Sequence, residues 1–159
     1  MNRRTFLHHG GVAAVAALTA PWLSAVAQAA DESALIYLSP FKSNGALSQC
    51  QAEVWYVQDD ADMCVVTANN AWRARAVRQG LSKTQVWVGD VGQWQSSDGR
   101  YKSLPAMNAQ ASIEGDPIEH ARLLQKFGAK YDREWSSWGP RFKKGLADGS
   151  RVLLRYQPA

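Results

Sequence analysis

The chain has 159 residues and a formal charge of +4, from 18 Lys and Arg against 14 Asp and Glu. That length supports one domain with a single core, and the absence of a Lys/Arg-rich block beyond the N-terminus argues against nucleic acid as a partner. Two separated cysteines and one histidine outside the N-terminal segment cannot assemble the usual zinc ligand sets.

The N-terminus comes first in chain order. Asn2 to Leu7 reads Asn-Arg-Arg-Thr-Phe-Leu, and a Gly/Ala-rich apolar stretch follows from Gly10 to Ala20. This segment resembles a bacterial twin-arginine export signal. Ala27-Gln28-Ala29 is a small-x-small pattern that suits cleavage after Ala29. The expected division is therefore a signal peptide over 1–29 and a working domain over 30–159. The resemblance implies passage through the twin-arginine translocase as a folded protein, and a periplasmic or other extracytoplasmic location. The apolar stretch falls short of the ~20 residues that span a bilayer, so no stable membrane insertion is expected after cleavage. Removing 29 of the 159 residues leaves 130, and loss of Arg3 and Arg4 lowers the charge from +4 to +2.

The domain reads as strands first and helices late. Ala34 to Phe41 is an apolar-rich strand, and Ser43-Asn44-Gly45 a turn. Ala52 to Val57 is a β-favouring run, Asp59-Asp60-Ala61-Asp62 a turn, and Met63 to Thr67 the returning arm of a hairpin. Asn69-Asn70 supplies capping chemistry for a helix over Ala71 to Gln79, with Ala71, Ala74 and Val77 as its apolar stripe and Gly80 as its stop. Thr84 to Val91 is a further strand. Gly92 to Lys102 is a loop or hairpin tip, and Leu104 to Glu114 a fainter strand. Asp116 caps a second helix, with Pro117 in its first turn and Glu119 completing a capping-box-like pair. Ile118, Ala121, Leu124 and Phe127 form its expected buried side, and Gly128 its end. The Trp-bearing segment Asp132 to Trp138 is interrupted at Gly139-Pro140 and restarts as a short helix to Ala147. Asp148-Gly149 turns the chain into a last strand, Arg151 to Tyr156. About six strands joined through hairpins, with two or three helices, favour a mostly antiparallel barrel or sheet over a doubly wound parallel one.

Cys50 and Cys64 are not expected to pair. Facing residues of the hairpin would have numbers summing to about 119 or 120, which leaves the two cysteines offset by about five residues, or ~17 Å along a strand. A disulfide needs Cα atoms within about 7 Å.

The densest chemical candidate is Val65 to Arg78. A strand end passes through Thr67, Asn69 and Asn70 into a helix start, followed at once by Trp72, Arg73 and Arg75. A helix start carries unpaired N–H groups and partial positive charge. A phosphate there would gain those donors, Thr and Asn side-chain bonds, and the guanidinium forks. The competing reading is a solvated helix face with arginines over the core, and composition alone divides the two evenly. Trp135, Trp138 and Phe142 are spaced i, i+3, i+7, which suits core or interface packing more than a cofactor box. His120 lies beside the apolar positions of its helix. It is read either as a half-buried surface histidine or as an axial haem ligand. No Gly-x-Ser-x-Gly nucleophile motif occurs.

The stretch Glu53 to Asp90 resembles the split-β-barrel superfamily of pyridoxamine phosphate oxidase-like, flavin- or deazaflavin-binding proteins. The residues that carry the resemblance are the hairpin, the Thr-Ala-Asn-Asn-Ala-Trp-Arg-Ala-Arg turn and the Gln-Val-Trp-Val strand. The later course, with the Asp116-Pro117 helix and a last strand ending at Tyr156, extends it over nearly the whole domain. The resemblance implies a split antiparallel barrel of about six strands with two or three flanking helices, acting as a homodimer with a cofactor between subunits. Thr67 and Arg73 fall on family phosphate sites. Trp72 stands where the oxidases carry an arginine, and Gln51 to Gln58 holds none of their basic residues. Gly80-Leu81-Ser82-Lys83 replaces an Asn-Pro-Arg segment. Trp72-Arg73-Ala74-Arg75 is closer to uncharacterised or deazaflavin-like branches.

The expected function is an exported redox protein using flavin mononucleotide (FMN) or a deazaflavin, with an unidentified small-molecule substrate or electron donor. Thr67, Asn69, Asn70, Arg73 and Arg75 would hold the phosphate end, and Trp55 or Trp72 would border the ring. The alternative is a non-enzymatic periplasmic binding protein for haem or another flat ligand on the same barrel. A third reading is a structural dimer that kept the barrel and lost the cofactor.

Overall fold

The computed structural model describes residues 21–49 and 51–159. The twin-arginine motif, the apolar stretch Gly10 to Ala20, and Cys50 lie outside the described residues. The elements in chain order are α1 (Pro21–Glu32), β1 (Ile36–Pro40), β2 (Ala52–Val54), β3 (Val57–Asp59), β4 (Asp62–Ala68), α2 (Trp72–Arg78), β5 (Lys83–Val88), β6 (Ala106–Glu114), α3 (Pro117–Lys130), α4 (Asp132–Asp148) and β7 (Arg151–Pro158). Two 3₁₀ turns, Trp94–Ser96 and Arg100–Ser103, occupy the loop between β5 and β6.

The seven strands form one antiparallel sheet in the order β2-β1-β5-β6-β7-β4-β3. β2 and β3 are the two edges of this sheet, yet only Trp55 and Tyr56 separate them in sequence. Val54 and Val57 are three Cα–Cα steps apart, at most ~11 Å, so the sheet must curl until its edges meet. This is a split, half-closed barrel. The single strand expected over Ala52 to Val57 is thereby corrected to two short strands on opposite edges. The hairpin β3–β4 pairs Val57 with Cys64 and Asp59 with Asp62. Its turn is thus the two residues Asp60-Ala61, with Asp60 at φ 55°, a shift of one or two from the expected pairing. Cys64 is a free buried thiol, and burial pushes its pKa up to about 12.

Strand alternation divides the packing between the two faces. The inner face carries Ile36, Leu38, Met63, Val65, Val86, Met107, Ala109, Leu154 and Tyr156, joined by Val26 and Ala30 of α1. β6 exposes Asn108, Gln110 and Ser112 while burying Met107, Ala109 and Ala111, which explains its faint apolar signal. On the outer face, α3 and α4 cover Val57, Cys64, Val66 and Leu153 with Leu123, Phe127, Tyr131 and Phe142. The 3₁₀ loop seats Tyr101 against Tyr37 and Trp87.

The helices depart from expectation in three places. α2 has no side-chain N-cap: its cap position is Ala71, and Asn69 accepts from Arg78 instead. Of the expected Ala71-Ala74-Val77 stripe, Ala74 is buried and Val77 packs against the inner core, and Ala76 is buried beside them. In α3, Asp116 caps as expected, accepting from the Ile118 N–H at 2.8 Å. Glu119, however, turns to Arg122. Leu123 and Phe127 are the buried residues, while Ile118 is 75% exposed. Gly128 does not end α3. A Cβ there would lie 2.7 Å from the Trp135 indole, so its role is close packing. α4 runs unbroken through Gly139 and Pro140. Gly139 is buried beneath Trp135 and Pro140 is exposed, so aromatic packing on one face outweighs the ~3 kcal/mol proline penalty.

Candidate functional site

β4 is the organising strand of the site. Thr67 shares the inner face with Met63 and Val65, while Val66 faces outward. Thr67 is 2% exposed, and its hydroxyl accepts a 2.8 Å hydrogen bond from Arg73 Nε. Thr67 therefore sets the orientation of Arg73. The Ala68 to Ala71 turn is closed by the Ala71 N–H on the Ala68 carbonyl at 3.0 Å, and the Asn69 N–H donates to Ser150 at 2.9 Å. Arg78 grips the Asn69 carbonyl at 2.9 Å and its side-chain amide oxygen. Asn69 is thus a structural acceptor, and Asn70 is exposed in the turn. Arg75 is exposed and lies over the Trp72 ring, 5.7 Å from its centroid. α2 carries no acidic residue in its first turn. The buried Trp72 Nε1 has no hydrogen-bond partner.

Trp55 stands apart from this group. Its ring stacks on Tyr131, with centroids 4.4 Å apart and planes 7° from parallel, on the outer face. There Trp55, Val66, Trp138, Phe142 and Arg151 line a cavity of about 310 Å³. The Arg151 guanidinium lies 5.2 Å from the Phe142 centroid, and Arg141 lies 5.1 Å from Trp138. Arg151 pairs with Ala68 across β4–β7, so this aromatic groove opens at the strand end that carries the Asn69-Asn70 turn. Sequence reasoning missed Arg151. Its signal is visible only once β7 is registered against β4.

Two other features bear on ligands. Tyr156 is fully buried on the inner face with its hydroxyl unpartnered. Burial raises its pKa, and the charge of Arg73 pulls the other way. His120 Nε2 lies 2.7 Å from the Glu114 carbonyl. A carbonyl only accepts, so Nε2 donates this bond, and in a neutral ring the lone pair then belongs to Nδ1. His120 lines a cavity of about 320 Å³ between α3 and α4 with Pro117, Leu124, Lys143 and Leu146. Among the described residues, no group of three or more His, Cys, Asp or Glu is placed to hold a metal ion. No helix among the described residues is long and apolar enough to cross a membrane.

These features define a split-barrel protein with an aromatic groove and an arginine-bearing helix start at one strand end. Comparison with solved structures agrees on the fold. HutZ, the heme storage protein from Vibrio cholerae, is 16% identical, with 84% of this chain and 87% of that one aligned at a TM-score of 0.58. A putative pyridoxamine 5'-phosphate oxidase from Listeria innocua is 12% identical, with 86% and 92% covered at 0.54. An F420 reductase is 14% identical, with 89% and 96% covered at 0.51. No family model and no curated protein sequence matches the chain. The chain thus has the split-barrel fold of pyridoxamine 5'-phosphate oxidase-like proteins.

Proposed function

We propose that this chain is an exported, homodimeric redox protein that binds a flavin-type cofactor, FMN or a deazaflavin. The observation that carries this reading is the end of β4, where Arg151 pairs with Ala68 and brings the aromatic groove to the strand end from which α2 starts. Val66 borders the groove on one face of the sheet, and Thr67 on the other face positions an arginine at a helix start with no acidic residue in its first turn. The groove suits a flat ring, with Trp55, Trp138 and Phe142 as apolar walls and Arg151 as a cationic edge. Arg73 and Arg75 suit the phosphate end, Thr67 acting through Arg73. The cofactor, when bound, supplies hydride or electron transfer, while the protein binds, orients and shields it. The fold is shared with a putative pyridoxamine 5'-phosphate oxidase and an F420 reductase, which is consistent with this reading. The test is the visible spectrum of the purified full-length chain, followed by titration with FMN and with reduced deazaflavin. Flavin bands, or saturable uptake that Arg73→Ala weakens, are expected. A colourless protein that takes up neither would overturn the reading.

The second reading is haem binding, favoured by the geometry of His120. Haem and metal-ligating histidines commonly donate their other ring N–H to a backbone carbonyl, as Nε2 does here to Glu114. HutZ, of the same fold, is described as a heme storage protein. Under this reading the chain absorbs added haem with a Soret band that His120→Ala shifts or abolishes. An unchanged band would remove His120 from the ligand set.

A further inference from the structure

The expected cleavage point, after Ala29, falls inside α1. Val26, Ala29 and Ala30 lie at i, i+3 and i+4 on the face of α1 that packs into the inner core, with Val26 4% and Ala30 2% exposed. The last turn is tied down as well. The Tyr56 hydroxyl lies 2.8 Å from the Ala30 carbonyl and 3.2 Å from that of Ser33, and the Ser33 N–H donates to Ala29 at 2.9 Å. Tyr56 is itself fully buried, with the Lys130 ammonium 3.5 Å from its ring centroid. Just beyond, the Tyr131 hydroxyl lies 2.9 Å from the Ala34 carbonyl.

We infer that Pro21 to Glu32 belongs to the folded domain, and that folding withholds the Ala27-Gln28-Ala29 site from processing, so that the exported protein keeps its leader until α1 unpacks. The inference rests on the export reading. A processing protease takes its substrate as extended backbone, so a bond in the middle of a packed helix is cut only through local opening. Cleavage after Ala29 would also leave a new α-ammonium at Ala30, a buried position where a charge is costly. It would remove Val26 from the core and bare the inner face at Met63 and Met107, which with Val26 line a cavity of about 300 Å³ under α1. A protein carried across a membrane already folded meets the processing enzyme with this helix in place.

The experiment incubates the purified full-length chain with bacterial leader peptidase, folded and again in a urea concentration that unfolds the chain but spares the enzyme, and reads the products by intact mass. Cleavage after Ala29 at least tenfold slower in the folded chain is expected. Tyr56→Phe, which removes the clamp on Ala30 and Ser33, is expected to speed cutting of the folded chain roughly fivefold, the effect of about one hydrogen bond on local opening. Equal rates folded and unfolded would overturn the inference. So would an unfolded chain that is not cut after Ala29, since there would then be no site to withhold. Fractionating cells that express the wild type and an Arg3→Lys, Arg4→Lys variant tests export separately. A chain retained in the cytoplasm in both cases would sink the export reading and leave the protease result to stand by itself.

Discussion

Tyr131 completes the backbone hydrogen bonding of Tyr56. The Tyr56 N–H donates to the Tyr131 hydroxyl at 2.9 Å, and that hydroxyl lies 2.8 Å from the Tyr56 carbonyl and 2.9 Å from that of Ala34. Tyr56 sits where the chain leaves one edge of the sheet for the other, so neither of its backbone groups has a ladder partner. Burial without a partner would cost each group about 1–3 kcal/mol. One phenol from the end of α3 therefore closes the split. Tyr131→Phe keeps the ring stack on Trp55 and loses only the oxygen. It is expected to lower stability by about 2 kcal/mol in urea unfolding, with little change in secondary structure.

Asp59 is the hub that fastens α3 to the β3–β4 hairpin. It receives Arg122 through both oxygens at 2.7 Å, with Lys126 and Arg155 each at 2.8 Å. The Arg122 guanidinium, ahead of the other two cations, holds its carboxyl well below the usual carboxylate range. A depressed carboxylate pKa contributes stability that is present above the unfolded value of about 3.9 and drains away as pH falls below it. The unfolding midpoint of the wild type should therefore drop steeply below about pH 4. Asp59→Asn should cost roughly 3 kcal/mol at pH 7, the low end for a broken buried pair because Arg122 and Lys126 are half-exposed. It should also flatten the acid limb.

Lys130 gives a second rise of stability with pH, from burial of a cation and not from ion pairing. Burial lowers its pKa to about 8, against about 10.4 in the unfolded chain. Between those values the unfolded state holds more protons, so stability rises with pH. A rise between pH 8 and 10 in the wild type, absent from Lys130→Met, is the expected result in pH-resolved thermal unfolding.

Gly128 and Gly139 let α3 and α4 approach through the Trp135 indole. A Cβ on Gly139 would lie 2.8 Å from that ring, and one on Gly128 2.7 Å. Gly→Ala inside a helix normally gains about 1 kcal/mol. Here overpacking of about 1–3 kcal/mol opposes it, and Gly128→Ala is expected to lower the midpoint and blunt the near-ultraviolet tryptophan signal.

Arg151 is the cation of the aromatic groove. Under the flavin reading, Arg151→Gln weakens FMN binding about tenfold, or about 1.4 kcal/mol. Gly145→Ala should weaken it too, because a Cβ there meets the Arg151 side chain at 2.6 Å and displaces it. Fluorescence quenching titrations check both variants.

The amino-acid sequence by itself determined the strand inventory around β1, β4, β5 and β7, the Asp116 cap, the Asp148-Gly149 turn and the antiparallel class. All of these are local signals: β-branched runs, a capping aspartate, a glycine at φ 76°. It also marked Thr67 and Arg73, which the fold joins at 2.8 Å. Only the tertiary structure decided the rest. The break between Val54 and Val57 has no local signal, because Trp and Tyr favour strands as strongly as their neighbours, and only curling of the sheet onto its own edges splits them. α4 passes Pro140, and α3 passes Gly128, because Trp135 packs against the two glycine faces where α3 meets α4, and that packing outweighs local propensity. The groove of Trp55, Trp138 and Arg151 draws on β4, α4 and β7 and its lead from the β2–β3 crossover, segments up to 96 positions apart in numbering, and no local pattern could assemble it. The same holds for Pro21 to Glu32: its Ala-rich composition shows no packing partner, and only the tertiary structure seats Val26 and Ala30 in the inner core and sets the Tyr56 hydroxyl on the Ala30 carbonyl.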